Sequence, residues 1–285
     1  LARPDLTRQQ VRVARVVLGF PRGMWIGSVA IIFSMVGWYA VQAELAGLAA
    51  DAVLSRMSGV SSPVLTIAAM GGGICLVAVL SAALGPHAAL ASTAPALLVG
   101  NVHRAWSFRR ALDRDVARAF LVGAVPGAAL GGALSAELPA EVLGWSIVLV
   151  TAFALARTAG LFEIRVRPMM WSPFAFGAGA VAATSGAGII VAPALVAGGL
   201  SGEALIATSA AAAVAMHVGR VIGYGAGGLM GEAALGASAV LAGSILVGNV
   251  LGRRARDRLG PARCTQVTRV TLAVSLVAGL VAAVR

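Results

Sequence analysis

The sequence contains no lysine and few charged residues of any kind. Asp, Glu and Arg together make up 12% of the 285 residues, whereas 59% are hydrophobic. A soluble domain carries about 25% charged residues, so a soluble fold of this length could not cover its surface with so few. The scarcity of charge excludes a cytosolic enzyme, a nucleic-acid-binding domain and a disordered chain. It predicts a polytopic helical membrane protein.

Cysteine and histidine are also scarce, with two and three residues. Cys75 and Cys264 lie in or beside apolar segments, where we expect buried, unpaired thiols. The scattered cysteines and histidines predict neither a metal site nor a cofactor. Because a Walker A motif requires lysine, its absence excludes ATP-driven transport by this chain. No Ser–His–Asp or Cys–His arrangement emerges, so we do not expect an enzyme.

The charge that is present is strongly positive. All 22 basic residues are arginine, and the net charge is +11. The arginines cluster between apolar segments, at 3–22, 104–118, 165–167 and 253–269. Such clusters are typical of cytoplasmic loops, so the charge indicates topology and not nucleic-acid binding. We expect a multi-pass protein of the bacterial inner membrane with a cytoplasmic N-terminus.

Nine apolar segments are candidates for membrane helices. The first, at 24–43, belongs with an external loop at 44–61 to an N-terminal extension, residues 1–61. The others lie at 62–84, 87–103, 116–136, 141–161, 172–200, 203–224, 231–251 and 267–284. None is strongly β-branched or alternating, which favours helices throughout.

Small residues recur at helical spacing in these segments. Gly123, Gly127 and Gly131 form a small-xxx-small ladder, and Gly227 with Gly231 forms a second candidate. Such ladders let helix backbones approach closely in a membrane. We therefore expect both to serve packing.

The sequence repeats itself. Matched positions in the two halves lie 115 or 116 residues apart. They are Gly73 and Gly188, Ser92 and Thr208, Thr93 and Ser209, and Arg104 and Arg220. Preserved order with slowly drifting offsets indicates an old duplication. It predicts transport repeats at 62–161 and 172–285.

The positive-inside rule decides the orientation of the repeats. If every apolar segment crossed the membrane, the basic loops at 103–118 and 162–171 would face outward. If instead 62–84 and 172–200 enter and return on the same side, every basic loop is cytoplasmic. We therefore predict an all-α fold of two inverted repeats, each with one broken, re-entrant helix and three transmembrane helices. Inverted repeats with broken helices are typical of secondary transporters.

The predicted breaks, at 71–73 and 185–188, indicate where a substrate binds. A broken helix presents backbone N–H groups to an anion, and glycine permits close approach. Hydroxyl groups that follow each break can complete such a site. We expect substrate binding by Gly72, Gly73, Ser92, Thr93, Ser185, Gly186, Gly188, Thr208 and Ser209. The alternative is that these small residues serve helix packing.

Arg220 stands out because it lies in the otherwise uncharged run 204–230. We expect it to contact the anionic substrate or to be ion-paired. Arg104, its counterpart, is either a second such cation or one more arginine that sets topology. His217 lies three residues before Arg220 on the same helical face, and Asn101 is its counterpart. His217 could carry a proton for coupling, or simply bond a neighbour.

The ordered motifs of both repeats resemble the sulfite exporter TauE/SafE family. Its repeats carry a Gly-rich run leading to Val-Pro-x-Leu, then a Gly-Thr-Ser-like step and a Gly-rich helix. The matching stretches are GGG at 71–73, VAVL at 77–80, PGAALG at 126–131, GAGIIVAPAL at 186–195 and ATS at 207–209. The family also has a loop that ends in Gly-x-[Val/Ile]-Asp. The sequence departs from the pattern where Ala78 replaces proline and where Glu232 replaces the aspartate of that loop. The resemblance covers about residues 62–285.

The resemblance implies a secondary transporter, by family an exporter, of small sulfur-containing anions such as sulfite, organosulfonates or thiosulfate. A carrier of another small anion, such as a carboxylate, is the main alternative. A channel or an intramembrane enzyme is a weaker one, because the spans hold almost no acidic or histidine clusters. The expected partners are the small anion and the lipid bilayer, without nucleic acid, and a homo-oligomer stays open.

Overall fold

The structure, a computed structural model, describes residues 72–158, 164, 166–186, 188, 190–239, 241–243 and 245–246. Within these residues the chain forms helices and no strand, which confirms the all-helical prediction for them. The predicted extension at 1–61 and the apolar segment at 267–284 lie outside the description. So do Cys264 and the side chain of Cys75.

The main helices are α1 (Gly72–Leu84), α2 (Pro86–Ser107), α3 (Arg114–Glu137), α4 (Ala140–Thr158), α5 (Trp171–Ser185), α6 (Val191–Ala197) and α7 (Gly202–Ala226). Residues 232–239 form a further helix, α8. Short 3-10 turns at Arg109–Ala111 and Pro168–Met170 precede α3 and α5. The bounds of α2, α3, α4 and α7 lie within about four residues of the predicted apolar segments.

Local sequence explains where helices begin and end. The side chain of Asp113 accepts hydrogen bonds from the backbone N–H groups of Asp115 and Val116, both at 3.1 Å, and so caps α3. Gly85 joins α1 to α2 with a φ of 87°, which a side chain would strain. Pro86 follows as the first residue of α2, where its missing N–H is not needed.

Glycines bring α3 and α5 into backbone contact. A Cβ added at any glycine of the first predicted ladder would lie under 3 Å from the backbone of α5. The colliding pairs are Gly123 with Ser172, Gly127 with Phe176, and Gly131 with Ala180. Because both series advance in the same direction, α3 and α5 are parallel. The ladder therefore serves packing, as the sequence predicted.

A second glycine ladder joins α7 to the other side of α3. Its pairs are Gly219 with Val125, Gly223 with Ala129, and Gly227 with Ala136. These pairs also advance together, so α7 is parallel to α3. The predicted partner of Gly227, Gly231, lies beyond the end of α7 and is not part of the ladder. The four-residue spacing of these glycines runs from Gly227 back to Gly223 and Gly219. It does not extend to Gly231, because α7 ends at Ala226.

Helix α2 runs antiparallel to α7. Leu90 and Ala94, near the start of α2, share a buried cluster with Tyr224 and Leu229 at the end of α7. At the other end, the backbone N–H of Asp113 donates to the hydroxyl of Thr208, 3.1 Å away, near the start of α7. The start of α2 therefore lies beside the end of α7.

The parallel helices α3, α5 and α7 begin at one end of the bundle, called here the arginine-rich end. Its exposed arginines are Arg109, Arg110, Arg114, Arg118 and Arg167, accompanied by Asp113, Asp115 and Glu203. The opposite end, called the acidic end, carries the exposed residues Glu137, Glu141 and Glu232. The basic loops after α2 and before α5 therefore share one end.

The chain turns back after α5. Gly186 takes a φ of 77° and its N–H donates to the carbonyl of Ala182, which ends α5. Helix α6 then leads to Gly198, where an added Cβ would lie 2.9 Å from the ring of Trp171, the first residue of α5. The segment formed by α5 and α6 thus starts at the arginine-rich end and returns to it. Its second helix, α6, has only 7 residues.

The helices have the length and surface of membrane helices. Among the described residues, Arg114–Glu137 and Glu203–Ala226 are long and apolar enough to cross a membrane. Large apolar side chains are exposed on α3 and α4, including Leu121, Val122, Leu130, Leu134, Trp145, Leu149 and Phe153. Contact with lipid explains such an apolar outer surface.

The glycine contacts predict a paired effect on stability. Gly127→Ala places its Cβ against the backbone of Phe176, and overpacking of this kind costs about 1–3 kcal/mol. Gly177→Ala is the matched control, because an added Cβ there meets nothing within 4 Å. We expect thermal unfolding of the purified protein to show a lower Tm for Gly127→Ala and an unchanged or higher Tm for Gly177→Ala. Equal Tm values would contradict the close α3–α5 contact.

Candidate functional site

Arg220 lies in α7 and is fully buried, with an exposed fraction of 0%. Its Nη1 donates to the backbone carbonyl of Gly186 at 3.3 Å, and its Nε donates to the hydroxyl of Tyr224 at 3.2 Å. The guanidinium therefore lies at the C-terminal end of α5, beside the predicted break. A helix C-terminus carries partial negative charge, which stabilises a cation there.

Tyr224 holds the same helix end. It is fully buried, and its hydroxyl donates to the backbone carbonyl of Ala183 while accepting from Arg220. Its ring centroid lies 5.5 Å from the Cζ of Arg220, within the range of a cation–π interaction. Sequence reasoning missed Tyr224. The available signal was its position four residues after the conspicuous arginine, on the same helical face.

His217 is the third member of the cluster on α7. Its Nδ1 lies 3.1 Å from the Nη1 of Arg220, and the side chain is 8% exposed. Because a guanidinium can only donate, Nδ1 must accept, which assigns the ring proton to Nε2. His217 thus forms a hydrogen bond to a neighbouring side chain, which was one of the two roles that the sequence suggested for it.

The nitrogen Nη2 of Arg220 is buried. Nη2 makes no hydrogen bond to any described residue, and no described carboxylate forms an ion pair with this guanidinium. Arginine does not lose its proton in a protein, so the charge stays in the interior. A buried polar group normally has a partner, because leaving one without it costs about 1–3 kcal/mol. An unpartnered cationic donor is therefore suited to bind an anion.

Arg104 repeats this arrangement on α2. Its Nη2 donates to the Oδ1 of Asn101, three residues earlier, as Arg220 donates to His217. Arg104 is 5% exposed and Asn101 1%. The side chain of Arg104 therefore lies inside the bundle, unlike the exposed arginines of the loop that follows α2. The positive charges of both arginines act on His217.

The predicted break residues line the same region. A Cβ added to Gly186 would lie 2.6 Å from the side chain of Val77 on α1, so α1 packs directly on the end of α5. Ser185 is buried and its hydroxyl donates to the carbonyl of Val181 at 2.7 Å. A Cβ at Gly188 would lie 2.6 Å from the Cε of Met216.

Comparison with known families identifies the chain. Residues 45–282 match the family described as sulfite exporter TauE/SafE. The chain belongs to this family. The resemblance inferred from the motifs is confirmed, and the match begins upstream of residue 62, where we place the first repeat. Comparisons with curated proteins and with solved structures found no match.

Membership of the TauE/SafE family gives the general activity. The family consists of membrane transporters and not enzymes, and it carries sulfite-type anions across the membrane. The apolar helices of the chain agree with a location in a membrane. An anionic substrate also fits the cationic cluster on α7.

The predicted hydroxyls of this TauE/SafE protein already have hydrogen-bond partners. Ser92 donates to Ala88 and Thr93 to Ala89, at 2.6 and 2.7 Å, and Ser209 donates to Ile206 at 3.1 Å. These acceptors are carbonyls of their own helices, reached by side-chain back-bonding that spacing alone does not show. Thr208 and Ser209 also lie about 16–18 Å along α7 from Arg220. The structure does not bring them to the arginine.

The break of the first repeat is only partly described. Gly72 and Gly73 are the first residues of α1, and residue 71 lies outside the described residues. Both glycines lie within about one and a half turns of Val77, which contacts Gly186. The start of α1 therefore lies near the second break.

The role of Tyr224 in holding Arg220 predicts a stability difference. Tyr224→Phe leaves the Nε of Arg220 without its acceptor, which costs about 1–3 kcal/mol, and leaves the carbonyl of Ala183 only the longer hydrogen bond from Ser135, at 3.3 Å. The control is Thr151→Val, which removes another buried hydroxyl whose acceptor is the carbonyl of Ile147 in its own helix. We expect chemical or thermal unfolding to show a clear loss of stability for Tyr224→Phe and a smaller loss of stability for Thr151→Val. The hydrogen bonds of Tyr224 would be unimportant if the order were reversed.

Proposed function

We propose that this protein is a secondary transporter that exports small sulfur-containing anions, such as sulfite, organosulfonates or thiosulfate, by alternating access. Family membership supplies the class of transport. The observation that carries substrate binding is the buried Nη2 of Arg220, a cationic donor without a partner among the described residues. An oxygen atom of the anion would accept from it in a charge-assisted hydrogen bond.

The proposed architecture is two inverted repeats, at 62–161 and 172–285, each containing a re-entrant segment. Three observations support it. Helices α2 and α7 are antiparallel, Arg104 and Arg220 occupy matched positions on them, and the α5–α6 segment returns to the end where it enters. The positive-inside rule then makes the arginine-rich end cytoplasmic in a bacterial inner membrane.

The substrate would bind between the repeats, beside the end of α5. Arg220 supplies the charge, while Ser185, Gly186 and Gly188 form the wall of the site at the break. Because glycine has no side chain, an anion can approach the backbone there closely. Gly72 and Gly73 would contribute the matching wall from the first repeat. In this proposal Ser92, Thr93, Thr208 and Ser209 shape the helices and do not contact the anion directly.

His217 is the proposed coupling group. A neutral ring accepts from the Nη1 of Arg220 through Nδ1, whereas a protonated ring carries a proton on both nitrogens and cannot accept. Protonation would therefore free Nη1 for the anion and add a positive charge. Binding of proton and anion would strengthen each other, because linkage between two sites is reciprocal.

The proposal predicts that Arg220 is needed for transport. Arg220→Gln removes a charged hydrogen bond of about 1.5–3 kcal/mol, which corresponds to a tenfold or larger loss of affinity. We would measure flux of sulfite, thiosulfate, sulfoacetate and taurine in proteoliposomes that contain the full chain. Arg118→Gln is the control, because Arg118 is exposed and pairs with the exposed Asp115, at 3.5 Å.

The same assay separates the competing functions. Flux of carboxylates in preference to every sulfur anion would favour the carboxylate carrier, and flux that does not saturate would favour a channel. If Arg220→Gln transported as fast as the wild type, Arg220 would have a structural role only. If the wild type transported no sulfur anion, the proposed substrate class would be wrong.

The coupling role of His217 predicts a pH dependence. Arg220 on α7 contacts it, and the charge of Arg104 on α2 also acts on it; Tyr224 and Asn101 bond these two arginines. Of these groups only the imidazole ordinarily titrates between pH 5 and 8. We expect the affinity for thiosulfate, whose charge is constant in this range, to rise as the pH falls. In His217→Gln, which keeps an acceptor for Arg220, the affinity should be independent of pH. An unchanged pH profile in that variant would exclude His217 as the coupling group.

A further inference from the structure

The outer surface of α2 carries an apolar stripe that ends at a tryptophan. Val99, Val102 and Trp106 follow each other at intervals of three and four residues, so they share one helical face. All three side chains are exposed, and Trp106 is 67% exposed. Helix α2 ends at the next residue, Ser107, at the arginine-rich end of the bundle. The outer stripe, residues 99, 102 and 106, therefore ends where the membrane meets water, a position that favours tryptophan.

Arg109 is held against the exposed ring of Trp106. The Cζ of Arg109 lies 4.6 Å from the centroid of that ring, within the range of a cation–π interaction. Its Nη1 also donates to the backbone carbonyl of Trp106 at 2.9 Å. These two contacts position the guanidinium before any ligand arrives, which lowers the entropic cost of binding. A guanidinium is planar, and its paired N–H groups match the oxygens of a phosphate group.

The charges of Arg109 and Arg110 are not compensated by the described part of the chain. Both side chains are exposed, and neither forms an ion pair with a described carboxylate. The two acidic residues that follow them have other partners. Asp113 accepts from backbone N–H groups at the start of α3, and Asp115 pairs with Arg118 at 3.5 Å. The two adjacent positive charges after α2 are therefore available to an anionic group outside the bundle.

We infer that Trp106, Arg109 and Arg110 form a binding site for an anionic phospholipid of the leaflet at the arginine-rich end. The phosphate accepts hydrogen bonds from the two guanidinium groups, and an acyl chain covers the outer stripe. A soluble anion would use only the arginines, whereas a lipid also covers the apolar surface that adjoins them. Because the inference requires no anion at Arg220, it is independent of the proposed function.

The test compares two lipids that differ in the charge of the head group. Phosphatidylglycerol is anionic and phosphatidylcholine is zwitterionic, and both would carry the same acyl chains. The purified full chain, in a nonionic detergent, would be titrated with each lipid, and bound lipid would be counted by native mass spectrometry. We expect the wild type to bind phosphatidylglycerol about tenfold more tightly, since each arginine near an anionic lipid contributes about fivefold in affinity.

Two double variants assign that preference to the site. Arg109→Gln with Arg110→Gln should lower the affinity for phosphatidylglycerol to the level of phosphatidylcholine. Arg114→Gln with Arg118→Gln is the matched control, because it removes two exposed charges from the same end of the bundle, each next to or paired with an acidic residue. The control should change the affinity for phosphatidylglycerol by less than about threefold. All four arginines are exposed, so both variants should fold.

Three results would overturn the inference. Equal affinity of the wild type for the two lipids would do so without any variant. Equal losses in the two double variants would show that the whole charged end attracts the lipid and that no local site exists. Displacement of phosphatidylglycerol by an equal concentration of glycerol 3-phosphate would show a site for a soluble phosphate and not for a lipid. Retention of the preference in the control variant alone would support the lipid site.

Discussion

The rest of the site depends on one interaction, in which the guanidinium of Arg220 lies against the C-terminal end of α5. The group cannot lose its proton, so α7 carries a permanent positive charge inside the bundle. The carbonyl of Gly186, the hydroxyl of Tyr224 and the Nδ1 of His217 satisfy part of it. These partners are neutral, and the remaining donor has no partner in the described part of the chain. The charge is thus positioned by the protein and left for an anion to neutralise.

Close helix packing makes this interaction possible. Arg220 reaches the end of α5 because both helices pack tightly on α3: α5 lies against glycines of α3, and α7 lies against α3 through glycines of its own. A helix that ends in the interior is equally necessary, and Gly186 ends α5 there with a left-handed backbone conformation. The carbonyls of that end would cost free energy if they lacked donors. Arg220 and Tyr224 provide the donors, so the same contacts stabilise the broken helix and hold the cation.

Sequence patterns predicted the features that stand out within a short stretch of residues. Arg220 is conspicuous because its surroundings are uncharged, and the α5 break is conspicuous because Gly186 interrupts an apolar run. Arg104 was ambiguous because it adjoins a cluster of loop arginines, and only burial separates it from them. The only sequence signal for Tyr224 was its position four residues after Arg220, and it was missed because an aromatic residue in an apolar helix is ordinary. The bond that the hydroxyl of Ser92 makes to its own helix was not predicted, because it depends on side-chain rotation, which spacing does not encode.

The central claim is that the transported anion binds at the unpartnered nitrogen of Arg220. The most direct measurement is the position of selenium in an anomalous difference map of the full chain crystallised with selenate, a divalent analogue of sulfur oxyanions. The account predicts a selenium peak beside the Nη2 of Arg220, close enough for a direct hydrogen bond from that nitrogen to a selenate oxygen. A peak beside Thr208 and Ser209, with none at Arg220, would contradict it.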